Sequence, residues 1–171
     1  MSDHVKYDSR TIWFHWLTAG LIVLMWGLAH IIDFFPIPER VWPRSLHIVT
    51  GVALIAIVLA RLVWRRSGGT VLPPADAGIL HLVATVTQFT LYGLVLITLG
   101  LGVVSEAVRA DNIFYLFRLP SIAPGDKALR GLLENWHGTA SNAILILAGL
   151  HGTAALYHHF LRRDGVLRRM L

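Results

Sequence analysis

Residues 136–160 read WHGTASNAILILAGLHGTAALYHHF. The stretch is apolar and long enough to cross a bilayer, which takes about 20 residues of helix. Yet it carries imidazoles at His137, His151, His158 and His159. A polar group left unpaired in hydrocarbon costs several kcal/mol, so histidines at such positions need partners.

The rest of the chain supports the membrane reading. Hydrophobic residues make up 55% of the 171, charged residues 15%, and the mean hydropathy is +0.61. A soluble domain of this size rarely has that composition. Four apolar stretches stand out, at about 11–31, 46–64, 79–104 and 136–160. None contains Asp or Glu, Arg61 is their only Lys or Arg, and glycine is frequent, as close helix packing in lipid requires. The expected fold is all-α: one four-helix transmembrane bundle of up-down topology, filling 1–171 as a single domain. Its surroundings are then membrane lipid, with no nucleic-acid partner expected. The longest connection, 105–135, holds the turn-rich LPSIAPGDKALRG and is expected to fold as a short cap over one face.

The N-terminal MSDHVKYDSR has two acids and no small-residue cleavage site, so the first span is expected to be a retained helix rather than a signal peptide. Both termini then share one side. That side carries nine cations, Lys6, Arg10, Arg61, Arg65, Arg66, Arg162, Arg163, Arg168 and Arg169, against six, Arg40, Arg44, Arg109, Arg118, Lys127 and Arg130, on the other. The positive-inside rule puts the termini in the cytoplasm. Trp13, Trp16, Trp42, Trp64 and Trp136 fall near span ends, where amphipathic rings favour the interface; Trp26 does not. With no Cys, thiolate clusters and CxxCH haem attachment are excluded, and any metal or haem must be held by histidine.

Helical geometry narrows the histidines to two levels. From His137 to His151 the helix turns so that the imidazoles lie within about 40° of one face, about 21 Å apart along the axis. In an up-down bundle His15 matches His151 in depth, and His47 matches His137. Two stacked pairs suit two non-covalent bis-histidine b haems, the iron taking one nitrogen of each ring while the other N–H finds an acceptor. Gly51, Gly138, Gly149 and Gly152 flank these positions, either to leave room for a macrocycle or to let helices pack closely. A lone intramembrane histidine can instead be a buried hydrogen-bonding residue or part of a proton path. His30 is the rival of His47 as outer partner. His81 and His158 are candidates for a haem propionate, a quinone headgroup or simply the interface, while His4 and His159 are expected to be solvated. Arg61, on the face of His47 at the depth of the inner pair, suits a propionate or a snorkelling position.

The segments YDSRTIWFHWL, SLHIVTG with ARLVWRR, and NWHGTASNAILILAGLHGTAALYHHFLRRDGVLRRM resemble the bacterial cytochrome b561 family, small di-haem membrane cytochromes, through nearly the whole chain. The resemblance implies haem ligands at His15, His47, His137 and His151, the four that depth matching selects. Gln88 stands where relatives often have histidine, and Leu99 where a proline often kinks the third helix, so no role for that helix is implied. Stand-alone four-helix members resemble the superoxide:ubiquinone oxidoreductase type. The implied activity takes electrons from superoxide at the periplasmic face and reduces ubiquinone, with Arg109, Arg118, Lys127 and Arg130 as candidates for steering the anion.

The same bundle also resembles haem b relay subunits that pass electrons between the quinone pool and a partner dehydrogenase or hydrogenase. A histidine-lined metal or proton transporter is the rival of a different class, disfavoured because the spans hold no carboxylates. A purely structural scaffold gives no reason for histidines at matched depths.

Overall fold

The computed structural model describes residues 6–171; His4 lies outside the described residues. Four long helices carry most of the chain: α1 (Ser9–Ile31), α2 (Val41–Ser67), α3 (Gly78–Arg109) and α4 (Lys127–Tyr157). Each is long and apolar enough to cross a membrane. The chain is therefore a four-helix multi-pass membrane protein, and both its described ends lie together, with the Tyr7 amide donating to the Arg169 carbonyl at 3.1 Å.

All four helices run past their apolar stretches at one end or both. At α1 the Asp8 side chain caps the first turn, accepting from the Thr11 amide and hydroxyl at 2.9 and 2.6 Å. At α4 the start moves back to Lys127 because the Asp126 side chain accepts from the Leu129 amide. Two short 3-10 turns, Ile32–Phe34 and Ile37–Arg40, lead from α1 into α2, which so begins well ahead of its apolar run. The helix α3 is unbroken, and Leu99 packs near the core instead of kinking it. Past α4 the backbone continues as a π-helical turn, His158–Arg162, and a 3-10 turn, Leu167–Met170.

The connection after α3 does form a cap. It contains an antiparallel hairpin of β1 (Asn112–Ile113) and β2 (Phe117–Arg118), whose turn puts Phe114 and Tyr115 at φ of 51° and 62°. Ser45 of α2 anchors it: its hydroxyl accepts from the Phe114 amide at 2.9 Å and donates to the Val41 carbonyl at 2.6 Å.

Helix α1 packs along α2 and α3 along α4, whereas α2 meets α3 only sparsely. The two halves are joined by a small cluster of Leu54 and Val58 from α2, Val95 from α3 and Ile144 from α4. A hydrogen bond from the Trp26 indole to the Asn142 side chain, 2.8 Å long, links α1 to α4 and explains the one tryptophan that sits away from an interface.

Candidate functional site: two histidine pairs

The antiparallel helices bring four of the histidines into two pairs. His15 of α1 faces His151 of α4 with ring centroids 6.5 Å apart, and His47 of α2 faces His137 of α4 at 6.1 Å. A metal–imidazole bond of about 2.0 Å, with the ring centre about 1.1 Å behind the nitrogen, puts two imidazoles on opposite sides of one metal about 6.2 Å apart. Both separations match that value. Among the described residues no three of His, Cys, Asp or Glu converge as a metal cluster.

The rings differ in what holds them. His137 Nδ1 lies 3.0 Å from the Thr98 carbonyl of α3. A carbonyl only accepts, so Nδ1 carries the proton and Nε2 is left as the ligating nitrogen. Gly102, one turn on, makes this approach possible, since a Cβ there would stand 3.1 Å from His137 Cε1. Neither Thr98 nor Gly102 follows from sequence pattern, because a backbone acceptor has no residue signature. The buried His47 Nδ1 has no hydrogen-bond partner among the described residues, although the Met25 backbone lies near it. A buried imidazole beside a second one suits a pair of metal ligands.

At the inner level Arg61 of α2 brings Nη2 to 3.4 Å from His15 Nδ1 and lies over the Tyr92 ring, 5.1 Å from its centroid. The glycines divide. At Gly51 a Cβ would meet Met25 Cε at 3.2 Å, so that residue lets α1 approach α2. At Gly138, Gly149 and Gly152 a Cβ would meet nothing within 4 Å among the described residues, so close helix packing is not what requires them.

The other histidines lie elsewhere. His30 folds back on its own helix, with Nδ1 2.8 Å from the Trp26 carbonyl and its ring stacked on Trp26 at 3.9 Å. His81 is exposed on the first turn of α3. His158 turns Nδ1 to Asp164 and Nε2 towards Asp76, 3.8 Å away, in a polar cluster with Arg162. His159 packs edge-on against Phe160.

On the far side of the bundle Arg109 bridges Asp111 and Glu134, Arg130 shares Glu134, and Arg118 donates to the Ala110 carbonyl. A cavity of about 270 Å³ beside them is lined by Arg40, Arg44 and Arg130 together with Asp111 and Asn112.

Membrane-length helices that bring imidazoles together in pairs across their interior are of the kind found in membrane cytochromes. The chain belongs to the prokaryotic cytochrome b561 family, whose family model matches residues 6–171, and it is thus a membrane haem protein of electron transport. It is 25% identical over 170 residues to a probable superoxide oxidase, CybB, of Yersinia pestis, covering 98% of this chain and 97% of the relative. It is also 23% identical to cytochrome b561 homolog 1 of Escherichia coli (strain K12), covering 97% of each chain. Cytochrome b562 of Cereibacter sphaeroides is 26% identical, with 100% of this chain and 98% of that relative covered.

Proposed function

We propose that the chain holds two b haems and carries single electrons across a bacterial inner membrane, oxidising superoxide at the periplasmic face and reducing ubiquinone. The spacing of the two imidazole pairs carries this reading. In it His15 and His151 hold the inner haem and His47 and His137 the outer one, with the termini in the cytoplasm. Haem iron held by two imidazoles has no open position and supplies outer-sphere, one-electron transfer. The reaction balances as two superoxide anions, each losing one electron to become dioxygen, against one ubiquinone that takes two electrons and two protons.

The chain's own residues have separate tasks. The four imidazoles fix two redox levels along α4, at His137 and His151, and Arg61 supplies a cation beside the inner pair, suited to a propionate. Around the outer pair the cations Arg109, Arg118, Lys127 and Arg130 steer the anion, though Glu134 and Asp111 offset part of their charge. The likeness to a probable superoxide oxidase supports the choice of electron donor.

A haem-to-protein ratio from the pyridine haemochrome assay on detergent-purified protein is the primary test, with about two b haems per chain expected. A ratio near zero after expression with ample haem would return the histidines to proton or metal chemistry. Stopped-flow reduction by superoxide then separates the oxidase from a relay for a partner dehydrogenase. Neutralising the four outer cations should lower that rate and its salt dependence.

A further inference from the structure

Helix α3 carries none of the four paired histidines, yet it reaches both levels. At the outer level it presents the Thr98 carbonyl to His137 Nδ1 at 3.0 Å, through the notch left by Gly102. At the inner level its Tyr92 ring lies under Arg61, whose guanidinium stands 3.4 Å from His15 Nδ1. The two contacts have opposite electrical character. A carbonyl accepting from an imidazole N–H makes the ring a stronger donor through its other nitrogen, which stabilises the more positive, oxidised metal. A guanidinium can only donate, so it gives the ring no acceptor that would strengthen it as a ligand, and it sets a positive charge beside the ring, which disfavours the oxidised metal.

We propose that α3 sets the two histidine pairs apart in redox potential, lowering the outer one through Thr98 and Gly102 and raising the inner one by holding Arg61 with Tyr92. The proposal rests on the two-haem reading above. Its consequence is directional: an electron entering at the outer pair finds the inner pair downhill. Other charges near the levels do not cancel the contrast. Arg109, on the outer side, is bound to Asp111 and Glu134, whereas no carboxylate pairs with Arg61 among the described residues. Arg65, also over the Tyr92 ring at 6.0 Å, adds charge of the same sign on the inner side. Thr98, Gly102 and Tyr92 are positioning residues, since each acts through a ligand or a cation and not on the reacting atoms.

The test is an optical redox titration of the purified chain, with the low-temperature EPR signal of each haem recorded beside it. Gly102→Ala places a methyl group 3.1 Å from His137 Cε1, so the ring must shift by a few tenths of an ångström and its bond to the Thr98 carbonyl weakens. It should raise the outer potential and shift the outer EPR signal while the inner ones stay put. Gly100→Ala, where a methyl group meets nothing within 4 Å, should leave both unchanged. Arg61→Gln should lower the inner potential alone, and Arg61→Lys should restore most of it. If Gly102→Ala sheds the outer haem altogether, the Arg61 pair decides: an inner potential indifferent to charge overturns the proposal. It is equally overturned if Gly100→Ala acts like Gly102→Ala, or if both potentials ignore Gly102 and Arg61 in a chain that still binds two haems. A wild-type chain without two haems would instead overturn the reading on which the proposal rests.

Discussion

Ser45 shows how much one small side chain can carry. It is fully buried, at 0% exposure, and its hydroxyl ties the outer hairpin to α2 by accepting from the Phe114 amide. Ser45→Ala leaves that amide without its partner, and the expected cost is about 1–3 kcal/mol, read as a lower Tm and as faster hydrogen exchange at Phe114. The histidines act at the same scale. Substituting His47 by Ala should remove one of two haem signals, whereas His30→Ala should remove none, because the His30 ring is stacked on Trp26. An outer signal lost with His30 and kept without His47 would refute the assignment. The pairs were legible because depth in an antiparallel bundle is set by residue count alone, at about 1.5 Å per residue. What pins each ring was not: Thr98 acts through its backbone, and Gly102 through the side chain it lacks.

Among the elements, the ends of the helices were the hidden part. Apolar runs mark what lies in lipid, but a cap decides where a helix stops, and Asp8 and Asp126 extend α1 and α4 into polar sequence. Asp8 does more than cap. It also accepts from the Trp64 indole at 3.0 Å and the Thr70 amide at 2.9 Å, tying α1 to the end of α2 and the following loop. Burial alone would raise its carboxyl, but the hydrogen bonds from Thr11, Thr70 and Trp64 outweigh that and hold it well below the usual carboxylate range. A group depressed in the folded state stabilises fully above its unfolded value and loses that contribution as pH falls towards its folded one. Thermal stability should therefore decline below about pH 4, and Asp8→Asn should flatten the decline. Asp8→Ala should cost about 1–2 kcal/mol at neutral pH, measured by thermal unfolding in detergent. The hairpin 112–118 escaped notice for a different reason. Its turn sets Phe114 and Tyr115 in the left-handed region, where a sequence reader expects Gly or Asn.

On the scale of the whole molecule, the chain is two helical hairpins with sparse contact between α2 and α3. Polar cross-links between them include the Trp26–Asn142 bond, the Ser45–Phe114 bond at the outer hairpin, and an inner latch in which the Trp16 indole donates to the Met170 carbonyl at 2.7 Å. The class of fold was visible in composition, since four apolar spans admit little else. How loosely the halves meet was not, because hydropathy is blind to which apolar face a neighbour covers. Each imidazole pair takes one ring from the first half, on α1 or α2, and the other from α4. During synthesis α4 leaves the ribosome after α1, α2 and α3, so neither level can close before it has been made. A product that ends at Asp126, before α4 begins, should insert in the membrane yet bind no haem. Cofactor loading would thus act as proofreading: only a chain that already has α4 becomes redox-active, and a shorter one in the membrane is electrically silent.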